Sequence, residues 1–260
     1  MSTRLALAAA LALAAACTAP APPVPLDLRA ATGQADLRPS GVAVDPTGAR
    51  YLLDDEHGLY RFDTGGAFEL VLPRAAMPDP GVPVSGAFTD LVAIGPGRFA
   101  ITAHGAGFLL DLGLGTMRPY FGQAPGTTPD GHDRRIDAIA YDPDAAVLYG
   151  QPRTFDAGGN PLGSEVATYA AATGADLTRF AVAGDVAARG MAKVPGAGLI
   201  LAVGTGLCSL VRDDVGEIID LASLDLVRID GLAVDRVAGT LLVIDGDRGQ
   251  LVELDLADVR

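Results

Sequence analysis

The sequence predicts an all-β protein built as a closed propeller of five blades, with six as the alternative. Three observations predict it. One unit recurs along the chain, each copy consists of short apolar strands divided by turn residues, and the two ends of the chain hold complementary parts of one copy. The copies begin at "GVAVDPTGARYLLDDEHGLYRFD", "TDLVAIGPGRFAITAHGAGFLLDL", "IDAIAYDPDAAVLYGQPRTFD", "ARGMAKVPGAGLILAVGTGLCSLV" and "IDGLAVDRVAGTLLVIDGDRGQLVELDL". Their first apolar residues, Val42, Val92, Ile139, Met191 and Leu232, are spaced by 50, 47, 52 and 41 residues. A propeller blade takes ~40 to 50.

The N-terminal segment, residues 1–17, precedes the repeats and reads as a signal peptide. Arg4 is followed by an apolar run, residues 5–16, and then Cys17. Twelve apolar residues are too few to span a bilayer, which needs about 20. "LAAAC" has small residues before its cysteine, as a lipoprotein cleavage site has, with Ala14 where that pattern prefers leucine. Lipidation at Cys17 or an ordinary cut near Ala19 both send the chain out of the cytoplasm. Residues 18–24, within "TAPAPPVP", read as a Pro-rich tether, and residues 25–260 as one propeller domain.

Within each copy an apolar strand leads into a turn ("DPTGA", "GPGR", "DPDAA", "VPGAG", "DRVAG"), then a second apolar strand, a polar loop and a third strand. The residue after each apolar leader is alanine: Ala43, Ala93, Ala140, Ala192 and Ala233. A propeller's innermost strands crowd the central axis, where a small side chain lets the blades approach. Four copies carry a fourth strand, in "AFELVLP", "TMRPYFG", "LTRFAV" and "EIIDLAS", and the last copy has only three. "PLDLRAA", from Pro25, alternates as a strand does and is expected to complete the last blade, removing an open sheet edge.

The glycine-led strands "GVAVD" and "GLAVD", the apolar strands that end in Asp, and the strands "LYRFD" and "LVELD" resemble blades of the NHL, SMP-30/gluconolactonase and SdiA-regulated propellers. For hydrolytic members this resemblance implies a divalent cation at the top of the central channel, held by Glu, Asn and Asp. The sequence departs from that pattern: no Glu precedes an inner strand, and Asp230 precedes Gly231 where Glu is common.

Loops entering the inner strand and loops joining the second and third strands share one propeller face. The residues two before each leader, Ser40, Asp90, Asp137, Arg189 and Asp230, are therefore candidate ligand-binding positions around the channel mouth. Asp90, Asp137 and Asp230 suit Ca²⁺ or another divalent cation, while Arg189 suits an anionic group. An Asp at a strand entrance also commonly accepts backbone N–H bonds, so a structural role competes with the ligand role. His57 and His104, in equivalent loops of the first two blades, are candidate catalytic bases. "RTFDAGGNPLGSE" is the longest loop of its class, with "GGNP" reading as a turn.

Composition narrows the function. The chain carries 32 acidic and 19 basic residues for a formal charge of −13, a field that repels nucleic acid and anionic lipid. There is no P-loop, CxxC pair, HExxH or GxSxG. The expectation is an exported, lipid-anchored, monomeric periplasmic module that binds a small molecule or an envelope protein, held at the membrane only by its anchor. The alternative is a metal-dependent lactonase or esterase with its site at the top of the channel.

Overall fold

A computed structural model describes residues 23–80, 87–103, 105–122, 133–182, 186–211, 214–221 and 224–259. The signal segment with Cys17, most of the tether, His104 and His132 lie outside the described residues. In chain order, β1 (Leu26–Asp27) and a helix α1 (Leu28–Thr32) precede blade 1, which is β2 (Pro39–Val44), β3 (Arg50–Asp54), β4 (Gly58–Phe62) and β5 (Phe68–Pro73). Blade 2 is β6 (Phe88–Gly95), β7 (Arg98–Ala103), β8 (Ala106–Asp111) and β9 (Thr116–Phe121). Blade 3 is β10 (Asp133–Asp142), β11 (Val147–Phe155), β12 (Pro161–Ala170) and β13 (Asp176–Ala181). Blade 4 is β14 (Gly190–Val194), β15 (Gly198–Val203), β16 (Gly206–Val211) and β17 (Asp214–Asp220). Blade 5 is β18 (Ile229–Asp235), β19 (Thr240–Asp245) and β20 (Gln250–Asp255).

Each blade is an antiparallel meander, and β1 supplies the fourth strand of blade 5 by pairing with β20, Leu26 against Leu251 and Asp27 against Gln250. The innermost strands touch in the order β2, β6, β10, β14, β18 and back to β2, so the ring closes on five blades. The closing strand is shorter than "PLDLRAA" suggests. Asp27 Oδ1 accepts the backbone N–H groups of Arg29 and Ala30, each at 3.0 Å, and this N-cap turns the chain into α1 instead of extending the strand. Leu28, fully buried, then plugs the seam between blades 5 and 1.

The core consists of five apolar clusters, one between each pair of consecutive blades. Alternation along β3 shows how: Tyr51 and Leu53 pack toward blade 2, while Leu52 packs toward blade 5. A middle strand covered on both faces reads as an unbroken apolar run, hence "YLLD", "LILAV" and "TLLVID". Outer strands are wet on their free side and carry residues such as Glu69, Arg118 and Pro119, which discourage pairing with another edge.

The five alanines are all buried at the axis. Glycines lead several inner strands because the strands nearly touch there: a Cβ on Gly41 lies 2.7 Å from the Leu91 nitrogen, and one on Gly190 lies 2.9 Å from the Gly231 Cα.

Candidate functional site: an arginine-rich channel mouth

One end of the channel opens into a cavity of about 810 Å³, ringed by the loops that enter the innermost strands and those that follow the second strands. The ring residues stand there because the inner strands bulge at this end. The register slips between Pro39 and Gly41, Phe88 and Asp90, Ile136 and Ile139, and Ile229 and Gly231. A bulge places an extra residue outside the ladder and re-aims its side chain. The residues so released are Ser40, Thr89, Asp137 with Ala138, and Asp230; of these Ser40, Thr89, Asp137 and Asp230 line the mouth. Arg189 lines it from the loop before β14.

Two buried aspartates fix these loops. Asp54 ends β3 and accepts the backbone N–H groups of Arg38 and of His57 in the following loop. Asp245 ends β19 and accepts those of Val227, Arg228 and Arg248. The recurrent Asp at the end of the second strand therefore clamps the loop entering the inner strand to its neighbour within the same blade.

Among the described residues six arginines line the mouth, Arg29, Arg38, Arg135, Arg153, Arg189 and Arg228, against four carboxylates, Asp55, Asp137, Asp230 and Asp247. Among the described residues the rim thus carries two positive charges in excess, on a chain of net charge −13. On one side Arg228 binds Asp230 Oδ1 through Nε at 2.7 Å and Asp247 through a terminal nitrogen at 2.9 Å, and Arg189 approaches the same Asp230 oxygen at 3.5 Å. Gly246 donates to the other Asp230 oxygen at 3.0 Å. Burial pushes the Asp230 carboxyl above the usual carboxylate range, and the Arg228 and Arg189 guanidiniums pull against that rise. Arg29, from α1, donates to the Asp247 carbonyl at 3.0 Å.

Blade 3 builds the other side. Its β10–β11 hairpin places Arg135 directly across from Arg153, and both guanidiniums lie over the ring of Phe155, at 4.8 and 4.9 Å from its centroid. Like charges directly opposite one another on a sheet are destabilising. The quadrupole of Phe155 and the Asp137 carboxylate, 3.9 Å from Arg153, offset part of that repulsion. The "RTFDAGGNPLGSE" stretch is a hairpin and not a loose loop. Its turn is closed by Asp156, which accepts the N–H groups of Gly158 and Asn160, each at 2.8 Å.

The structure brings Ser40, Asp137, Arg189 and Asp230 together and sets Asp90 apart. Asp90 is fully buried, and each carboxylate oxygen accepts one backbone N–H at 2.8 Å, from Leu91 and from Ile139 of the next blade's inner strand. Thr89 takes the ring position in its place. The reason is that the bulge of β6, between Phe88 and Asp90, lies four residues before its alanine, whereas Ser40 and Asp230 lie three before theirs, so counting back three from Ala93 stops one residue short. Asp90 joins blade 2 to blade 3. Burial pushes its carboxyl well above the usual range against the pull of those two N–H bonds, so the folded chain holds this proton to higher pH than the unfolded chain does. Its contribution to stability is therefore greatest below pH ~4, the unfolded carboxyl value, and declines as pH rises from there toward the folded value. Asp90→Asn is expected to flatten that decline, read as urea midpoints across a pH series; an unchanged slope refutes it.

His57 is held between two carboxylates, Nδ1 at 2.6 Å from Asp54 and Nε2 at 3.4 Å from Asp36, and it does not line the mouth. Its partner in the expected pair, His104, is outside the described residues. A divalent cation does not fit this mouth. Among the described residues no three His, Cys, Asp or Glu side chains gather as a metal site, Asp90 faces its own backbone partners, and Asp230 is taken up by two guanidiniums and an N–H. The expected grouping of Asp90, Asp137 and Asp230 is therefore corrected to arginine-paired aspartates on the rim and one structural aspartate beneath it.

Sequence reasoning found Arg189 and passed over Arg29, Arg38, Arg135, Arg153 and Arg228. A signal was present: arginine stands two residues before the ring position in "RPS", "RID" and "RID", at Arg38, Arg135 and Arg228.

No family model and no curated protein matches the chain. Solved structures do. A gluconolactonase from Xanthomonas campestris aligns with a TM-score of 0.54 at 17% identity, over 84% of this chain and 71% of that one. The chain has the fold of the gluconolactonase propellers. A candidate gluconolactonase aligns at 0.49 and 14% identity, over 90% of this chain and 87% of that one. The extracellular domain of a candidate one-component system from B. thetaiotaomicron aligns at 0.46 and 12%, over 82% of this chain and 27% of that one.

Proposed function

We propose that this chain is an exported propeller, anchored to the envelope through Cys17, that binds a small molecule bearing two or more carboxylate or phosphate groups in the arginine-rich mouth. The carrying observation is the convergence of six arginines on one cavity of a protein with net charge −13. The surface as a whole repels anions, so a positive concavity serves one location only. Arginine forks match carboxylate and phosphate oxygens two at a time, and the arginines form two groups, Arg135 with Arg153 and Arg189 with Arg228, which favours a ligand with separated anionic ends. The metal-dependent hydrolase reading has no donor set among the described residues of the mouth to support it.

Calorimetric titration with citrate, pyrophosphate and inorganic phosphate tests the mouth. Expected is one site per chain for a polyvalent anion, with affinity falling as salt rises; heats no larger than those of chloride for all three overturn the reading. Anchoring is tested separately. Cys17→Ser is expected to abolish labelling by a palmitate analogue and release the protein from membranes, and a variant that stays labelled overturns that part.

A further inference from the structure

We infer a second binding site at the opposite end of the channel, shaped for a small amphiphilic carboxylate such as a medium-chain fatty acid. The turns between first and second strands surround a cavity of about 280 Å³, into which the five axial alanines and side chains such as Met191 and Leu232 face. Its walls are mostly apolar, the property of a pocket that takes a hydrophobic body.

The charged groups on its rim settle the chemistry of the other end of the ligand. Four are present: Asp45, Asp144, Arg236 and Lys193. Asp45 is turned into its own loop, where Oδ1 accepts the N–H of Thr47 at 2.8 Å, that of Ala49 at 3.1 Å and the Thr47 hydroxyl at 2.6 Å. Arg236 of blade 5 and Asp144 of blade 3 pair through three contacts of 3.1 Å, joining two blades that are not neighbours in the ring. That leaves Lys193, the only lysine in the sequence, with no hydrogen bond or ion pair among the described residues. An apolar chamber edged by one uncommitted cation is complementary to an apolar body with one anionic head. A polyanion suits the arginine mouth, and this site lacks the charge for one.

The single lysine makes the test selective. Reductive methylation with ¹³C-formaldehyde keeps the charge and yields one side-chain signal, from Lys193. Titration with octanoate is expected to shift that signal to saturation at one equivalent. Octanol and acetate, which each lack half of the recognition, are expected to need at least tenfold higher concentrations. By calorimetry, Lys193→Met is expected to weaken octanoate to the level of octanol, and Ala140→Leu, which fills the chamber, to abolish binding. If Ala140→Leu does not fold, the comparison of octanoate with octanol and acetate on the unaltered protein decides alone. An unmoved signal, or acetate acting as strongly as octanoate, overturns the inference.

Discussion

Arg50→Ala is expected to lower the unfolding free energy by about 3 to 5 kcal/mol, the usual cost of stripping the partner from a buried charge. Arg50 opens β3 of blade 1 and is almost wholly buried. Its Nε lies 2.9 Å from Asp235, at the end of blade 5's inner strand, and its two terminal nitrogens meet both oxygens of Glu253 on β20 at 2.7 and 3.1 Å. One side chain thus ties the first blade to the last at the seam where the ring closes. Removal leaves the two acids in unequal positions. Glu253, 40% exposed, turns to water, whereas Asp235, 3% exposed, keeps only the N–H groups of Val237 and Ala238. The loss therefore comes mainly from the stranded Asp235 and from packing around the arginine stem. Arg50→Lys is expected to fall between, since an ammonium cannot serve two partners in the planar arrangement of a guanidinium. Adding Asp235→Asn to Arg50→Met is expected to recover part of the loss, as the stranded charge disappears. Urea unfolding measures each variant. A loss under 1 kcal/mol for Arg50→Ala means the apolar cluster and β1 hold the seam without this network.

The seam also shows what the sequence made legible and what it hid. Five alanines at regular spacing gave away the axis, because the crowding of inner strands is a local requirement repeated in every blade. Ring closure was readable because blade 5 lacks a fourth strand and "PLDL" supplies one, although Asp27 capping a helix shortened it to two residues. Arg50 and Asp235 were not legible. They lie 185 residues apart, and their partnership exists only because the ring brings first and last blades together. Asp90 failed differently: the bulge of β6 falls one residue further from its alanine than in blades 1 and 5, which spacing alone cannot reveal, and that one-residue shift makes the expected ligand an inter-blade clasp. Arg38, Arg135 and Arg228 were legible and passed over: alignment on the apolar leaders hides that an arginine stands four places before the leader in blades 1, 3 and 5.

For the mouth, the expected result is opposite signs for stability and binding at one residue. Arg135 faces Arg153 across two paired strands, a repulsive placement that Phe155 and Asp137 relieve only in part. Arg135→Ala removes the repulsion along with the cation–π contact and the arginine's other local interactions, and with the repulsion outweighing these, stability is expected to stay level or rise by up to about 0.5 kcal/mol. The same change removes a guanidinium from the cavity, and affinity for a polyvalent anion such as citrate is expected to fall at least tenfold. Side chains kept in place at a cost to the fold are those a ligand requires. Arg228→Ala differs, because it strips the 2.7 Å partner from buried Asp230, leaving it Arg189 at 3.5 Å and the Gly246 N–H, and frees Asp247. It is expected to lower both stability and affinity. Together the two substitutions cancel the excess positive charge of the rim's described residues, and citrate affinity is expected to drop by about 100-fold, equivalent to roughly 2.7 kcal/mol. If Arg135→Ala destabilises the protein and leaves citrate binding unchanged, the arginine pair is a structural brace and the mouth is not the anion site.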